Sequence, residues 1–238
     1  MKNIFLKAAS LGAAFFCISF SNSHAQNLND TVRTIYYIGG WKQANLAPLN
    51  ERLVANGYPA FKENSFTSGI GFQENKNRWV TNLEVSASQM QEVRSAGKFL
   101  PLTDVQVNLN IGYEFLKTES FSLYPTLGIG AGVQYFSITV DRSFDQILIN
   151  PVEQSVTLWN RNLLLNAALH GDYLIAAGDS PTGNLRFIDV GLQGGYTYAP
   201  WSSWTQNNGT VNVSNSPESN MSGAFLQLKL GLSYKPKN

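Results

Sequence analysis

The sequence predicts an all-β fold: a closed antiparallel up-and-down transmembrane β-barrel of about eight strands, with a short helix in its first outer loop. Three observations predict it. The stretch Val105-Gln106-Val107-Asn108-Leu109-Asn110-Ile111-Gly112-Tyr113-Glu114-Phe115 alternates apolar residues with polar residues or glycine without a break. As a strand it has one apolar and one amide-rich face, and it is about as long as a tilted strand crossing a bilayer core. The same alternation recurs about eight times, as a small barrel requires. Charged residues make up 14% of the chain, against about 25% in soluble domains.

The first residues read as an address. Lys2 and Lys7 precede an apolar run over 8–20, and Ser23-His24-Ala25 places small residues two apart before Gln26. This is the pattern of a cleaved secretory signal peptide over 1–25, with a barrel domain over 26–238. The run is shorter than the roughly 20 residues of a spanning helix. Cleavage removes Cys17, the one cysteine, and His24, which leaves His170 as the one histidine. Disulfide, thiolate and multi-histidine metal chemistry are thereby excluded within the mature chain, and no cofactor is expected. A net charge of +1 gives no electrostatic case for nucleic acid.

The strands follow in order. Residues 32–41 form the first, irregular because Tyr36 and Tyr37 are adjacent. Over 44–57, Leu46, Leu49, Leu53 and Val54 fall at helical spacing, with Gly57 at the end and Pro59 beyond, so a short helix is expected. Residues 66–73 and 78–90 are the second and third strands; the latter sets Leu83 and Val85 against Asn82 and Glu84. Residues 105–115 are the fourth. In the fifth, 121–135, Leu127, Ile129, Ala131 and Val133 alternate with Gly128, Gly130, Gly132 and Gln134. The sixth, 161–175, sets Leu163, Leu165 and Leu169 against Asn162, Asn166, His170 and Asp172. The seventh, 185–198, sets Ile188, Val190 and Leu192 against Asp189 and Gln193. The eighth, 222–234, sets Leu226, Leu228, Leu230 and Leu232 against Gln227, Lys229 and Ser233. The count becomes ten if residues 141–160 pair.

Long and short connections alternate along this order, which places the termini and short turns in the periplasm and the long loops outside. Aromatic residues gather at the strand ends. Trp41, Tyr135, Phe136, Trp159, Tyr196, Tyr198, Trp201 and Trp204 lie at the outer level. Trp79, Tyr113, Phe115, Phe121, Tyr124, Tyr173 and Tyr234 lie at the inner one. Such belts suit rings with an apolar body and a polar tip.

With these features the mature chain resembles the small OmpA/OmpX-like outer-membrane β-barrel proteins of Gram-negative bacteria. The resemblance is one of pattern across the whole mature chain. It implies residence in the cell outer membrane among its lipids, insertion by the barrel-assembly machinery, and a mostly non-enzymatic role in envelope structure or surface contact. It leaves the extracellular partner unnamed. An aromatic last residue is common in that family, whereas Lys235-Pro236-Lys237-Asn238 follows Tyr234 here.

Two rival readings follow from the same residues. A soluble, lipocalin-like ligand-binding barrel would have the alternation reversed, with apolar residues lining the lumen. The polar faces argue against it, being built of Asn, Gln, Ser, Thr and Gly rather than the Lys and Glu of a soluble surface. Gly128, Gly130 and Gly132 also suit a crowded interior and would weaken an open strand. The other rival is a lipid A-modifying barrel enzyme, for which His170 and Asp172, two apart on one polar face, are the candidate pair. No serine can be assigned as nucleophile. The favoured expectation is a structural polar network in the lumen, in which Lys229 pairs with Asp189 while His170 and Asp172 complete it.

Overall fold

The computed structural model describes residues 31–89, 91–95, 98–140, 155–179, 185–206 and 211–235. The expected signal peptide over 1–25 lies outside them. Eight strands form the wall: β1 (Val32–Gln43), β2 (Asn64–Lys76), β3 (Trp79–Ser88), β4 (Lys98–Tyr113), β5 (Phe121–Val140), β6 (Ser155–Asp179), β7 (Leu185–Gln206) and β8 (Gly223–Lys235). Each pairs antiparallel with its neighbours in sequence. The ring closes where β8 pairs with β1, from Arg33↔Tyr234 to Lys42↔Phe225. Three short strands extend the sheet at its rims: Gln91–Ser95 beside β4, Leu116–Lys117 beside β5 and Val211–Asn212 beside β7. The β2–β3 turn is just Asn77 and Arg78, with φ of 50° and 70°. Positive φ at both central residues is the geometry whose twist matches that of the strands.

β4, β5, β6 and β7 each run well beyond an expected end, and β1 and β2 overrun theirs by two or three residues. Residues 155–160, expected in a loop, continue the β5–β6 ladder as far as Thr139↔Ser155. The pairing of this region therefore lengthens a hairpin, and the ring stays at eight. β6 has 25 residues, about 80 Å at ~3.3 Å each. A tilted strand crosses a ~30 Å bilayer core in about 12 residues. The wall formed by β4–β7 thus rises well beyond the span of a bilayer core at the end opposite the β2–β3 turn.

The two faces are sorted as the alternation requires. Leu127, Ile129, Leu228 and Leu230 point outward, with Leu127 67% exposed, while Asn108, Asn110, Gln193 and Gln227 are buried inside. This is the reverse of a lipocalin-like interior. Aromatic pairs mark the outward face at both levels: Tyr135 and Trp159 meet edge-on at 5.2 Å, and Trp79 and Tyr113 at 5.3 Å. Outward apolar side chains and a ladder closed on itself are what a wall facing lipid requires.

Three aromatic residues expected in the belts face inward instead. Tyr124, Phe136 and Trp204 are 0%, 2% and 3% exposed. Tyr124 shares strand parity with Thr126, and Phe136 with Gln134, so alternation places both inside. Trp204 is turned in by an irregularity in β7. Leu163 pairs with Trp201, but Leu165 pairs with Tyr198, so β7 carries one extra residue at Ala199-Pro200. A bulge suits proline, which has no N–H for the ladder, and every side chain beyond it changes face.

The helix, α1 (Ala47–Ala55), is shorter than the expected 44–57. Pro48 occupies its first turn, and Gly57 follows Asn56 with φ +78°. Leu49 and Leu53 are buried, whereas Val54, expected on the apolar face, is 59% exposed. The helix caps the mouth opposite the β2–β3 turn. Leu46, Leu49, Leu53 and Phe61 pack against Leu100, Leu102, Phe136 and Trp204 from the tall wall. Asn50 clamps the loop by donating to the Phe61 carbonyl at 2.9 Å and accepting from its N–H at 2.8 Å. The segment before β8 joins the cap: Ser219 accepts from the Leu49 N–H, and Trp204 Nε1 donates to the Pro217 carbonyl at 2.9 Å.

The glycines of β5 make a testable distinction. A Cβ at Gly128 would sit on the Asn110 side-chain oxygen and 2.7 Å from the Leu109 carbonyl oxygen. A Cβ at Gly132 would first meet the Met221 thioether, which can move aside. In urea unfolding of micelle-refolded protein, Gly128→Ala should cost roughly 1–3 kcal/mol and Gly132→Ala less than about 1 kcal/mol. Equal costs would contradict a lumen packed at this level.

Candidate functional site

Among the described residues, buried charge is concentrated in the lumen, and register explains how that charge is brought together. Lys229 on β8 lies opposite Gly191 on β7, which lies opposite Asp172 on β6. With no side chain on the middle strand, Lys229 Nζ reaches Asp172 Oδ2 at 2.5 Å. A Cβ at Gly191 would fall against the Asp172 carboxylate. The ammonium also meets Asp189 Oδ2 at 3.2 Å and Gln73 Oε1 at 3.1 Å, and lies 5.0 Å from the Tyr36 ring centroid. Three oxygen partners match its three N–H groups.

The expected network residues therefore occupy one cluster, with an altered hierarchy. Asp189 is a partner of Lys229, but Asp172, two strands away, is the closer one. Asp172 also accepts from the Tyr124 hydroxyl at 2.6 Å. His170 is held by other groups than Asp172: its Nε2 shares a hydrogen bond with Thr126 Oγ1 at 2.9 Å. Its ring stacks on Tyr124 at 5.0 Å with the planes 9° apart. His170 and Asp172 are each 3% exposed.

The same construction recurs twice. Tyr36 on β1 and Glu84 on β3 lie on either side of Gly71, and the Tyr36 hydroxyl donates to Glu84 Oε1 at 2.8 Å. Across the glycines of β5, Asn166 Nδ2 on β6 donates to Asn108 Oδ1 on β4 at 2.8 Å. Sequence reading missed Tyr36, Gln73, Glu84 and Tyr124 as members of the network. The signal that would have found Tyr36 and Glu84 is glycine on the polar face, since Gly71, like Gly191, lets its two flanking strands touch.

Above this cluster Lys42 Nζ donates to Gln106 Oε1 at 2.5 Å and lies 3.6 Å from Asp104. Lys42 escaped notice because it falls one residue past the expected end of its strand. Below the cluster, Gln73 donates to Asn75, Asn75 to Glu114, and Glu114 pairs with Lys117, each at 2.8 Å. A cavity of about 330 Å³ opens at the end of the β2–β3 turn, with Asp172, Asp189 and Gln73 at its wall. A second, of about 20 Å³, lies among Lys42, Glu84, Asn108 and His170 and has room for roughly one water. Vestibule, ionic cluster, amide layer and apolar cap therefore stack in series along the barrel axis.

The ionic cluster has a measurable signature. Removing one member of a buried pair strands the other charge, at a cost of roughly 3–5 kcal/mol. Lys229→Met and Asp172→Asn should each be strongly destabilising to urea in micelles, while the double variant should cost less than their sum by more than about 0.5 kcal/mol. The same cycle with Asp189→Asn should give a smaller coupling, following its longer distance. Additivity in both cycles would refute the cluster.

No protein-family model matches the sequence, and no curated protein matches it. Among solved structures the chain is similar to a major outer membrane protein from Thermus thermophilus, with a TM-score of 0.47 and 11% identity over 86% of this chain and 98% of that one. It is also similar to Ail, the attachment invasion locus protein of Yersinia pestis, at 0.38 and 16% over 86% and 95%. A third is Neisserial surface protein A, at 0.36 and 14% over 86% and 96%. Identities and scores this low assign neither a family nor a role.

Proposed function

We propose that the protein is a non-enzymatic integral barrel of the outer membrane that holds a folded cap and a tall half-wall out at the cell surface for contact. The observation that supports this reading most is the serial filling of the axis, from the periplasmic vestibule to the apolar cap. Eight strands enclose an interior that side chains can fill, so the barrel acts as a rigid pedestal rather than a diffusion path. Contact functions belong to loops on such scaffolds. Outer-membrane residence rests on the outward apolar band and its two aromatic girdles.

The non-enzymatic reading rests on how the candidate pair is used. His170 is committed to Thr126 and Tyr124, and Asp172 to Lys229 and Tyr124. A general base needs a reacting group within reach, and these two side chains serve the wall instead. Membrane lipids are the surrounding partner. Insertion through the barrel-assembly machinery follows from the resemblance to outer-membrane barrels, and the outward Leu226, Leu228, Leu230 and Leu232 of β8 suit a strand that enters lipid.

Two measurements test residence and orientation. Carbonate or urea washing of envelopes should leave the protein in the pellet; release would return the soluble barrel to favour. With the mature chain expected to lack cysteine, Glu51→Cys in α1 should react with an impermeant maleimide on intact cells. Glu119→Cys, in the β4–β5 turn, should react after permeabilisation. The opposite pattern would invert the barrel.

A further inference from the structure

We propose that Arg161 and its neighbours on the outward face form a binding site for the phosphate of an outer-leaflet lipid headgroup; this rests on the membrane reading above. Arg161 lies on β6 with the same parity as Leu163, Leu165 and Leu169, so its guanidinium points outward, and it is exposed. Among the described residues, it meets no carboxylate. An unpaired cation on the skin of a barrel is costly within the hydrocarbon and favourable at the headgroup level.

Its height is fixed by the strand. Tyr173, in the periplasmic belt, lies twelve residues further along β6. Twelve residues are about 40 Å of strand, or ~30 Å of height at a tilt of ~40°. The apolar band of such barrels is about 25 Å tall, and the outward residues between are Leu163, Leu165, Ala167, Leu169 and Gly171. Arg161 therefore emerges at the outer edge of the band, where lipid phosphates lie.

The surroundings suit a phosphorylated lipid. Register sets Ser203 directly beside Arg161 on β7, which offers a hydroxyl next to the guanidinium fork. One step above, Trp159 pairs with Tyr135, and one step below, Leu163 pairs with Trp201, which is 52% exposed. The rings bracket the headgroup level, and the leucines below present a surface for acyl chains. Guanidinium binds phosphate through paired N–H groups, and its charge makes those bonds stronger than neutral ones.

The test uses the full mature protein refolded in phosphate-free maltoside micelles, with bound lipid counted by native mass spectrometry. The probes are bisphosphorylated lipid A, its dephosphorylated form, and inorganic phosphate. The wild type should retain bisphosphorylated lipid A, and Arg161→Gln should retain it on the order of tenfold more weakly, the worth of one charge-assisted contact. Arg161→Lys should recover part of the loss, and the dephosphorylated lipid should bind wild type and Arg161→Gln alike. Heat-modifiable migration of each variant shows that the barrel has folded. Equal retention by wild type and Arg161→Gln overturns the site. So does displacement of the lipid by an equal concentration of inorganic phosphate, which would make this a site for the free ion. Failure of the wild type to enter micelles would count against the membrane reading instead.

Discussion

The narrowness of an eight-stranded lumen is the constraint on which the rest of the structure depends. Each inward side chain competes for the same axis, and each inward charge has left bulk water at a cost of several kcal/mol. The chain meets both demands with inward glycines. Gly191, Gly71 and the glycines of β5 remove a side chain from the middle of three strands, so that the outer two exchange a bond across the gap. Space and electrostatic pairing are thus solved by the same residue. Without the space at Gly191, Lys229 and Asp172 would be held apart in the same low-dielectric interior.

That arrangement has a consequence for rigidity. Bonds between nearest strands follow the sheet, but bonds between second neighbours tie the cross-section of the barrel. Lys229–Asp172, Tyr36–Glu84 and Asn166–Asn108 between them brace β1, β3, β4, β6 and β8. Tyr124 brings β5 into the brace by joining its hydroxyl to Asp172 while its ring supports His170. A cap carried on so braced a ring is presented in a fixed orientation, which lowers the ordering cost of any contact it makes.

Much of the wall is legible in the sequence because alternation has a fixed period and lipid enforces it on every strand. The strand order, the outward leucines, the inward amides and the meeting of Lys229, Asp172 and Asp189 all follow from parity and from strand ends. What escapes has equally physical causes. Trp204 is hidden because one extra residue at Ala199-Pro200 inverts parity, and a bulge is a matter of ladder geometry rather than composition. Tyr124 and Phe136 lie close to strand ends, which suggests a belt, but their parity already puts them inside. The priority of Asp172 over Asp189 lies in Gly191, which reads as an empty position until the strands on either side of it are known.

Parity also marks where the lipid ends, with no appeal to loop lengths. Along β5 the inward series Thr126, Gly128, Gly130, Gly132 and Gln134 is small or polar, while the outward series Leu127, Ile129, Ala131 and Val133 is apolar. Beyond Tyr135 the series exchange character: Phe136 and Ile138 turn inward to the cap, and the alternate positions become Ser137 and Thr139. β4 does the same in reverse, with Leu100 and Leu102 packed in the cap above Asp104 and Gln106 in the lumen. No bulge interrupts β5, so the change is one of solvent and not of geometry. Below the boundary the outward residues are apolar and the interior is polar; above it the ordinary rule returns, with apolar residues inside and Ser137 and Thr139 on the other face. Arg161 lies opposite Val133, one step inside that boundary and next to the Tyr135–Trp159 pair. Among the outward positions of β5 and β6 it is thus the first below the exchange where a cation can still reach the headgroups.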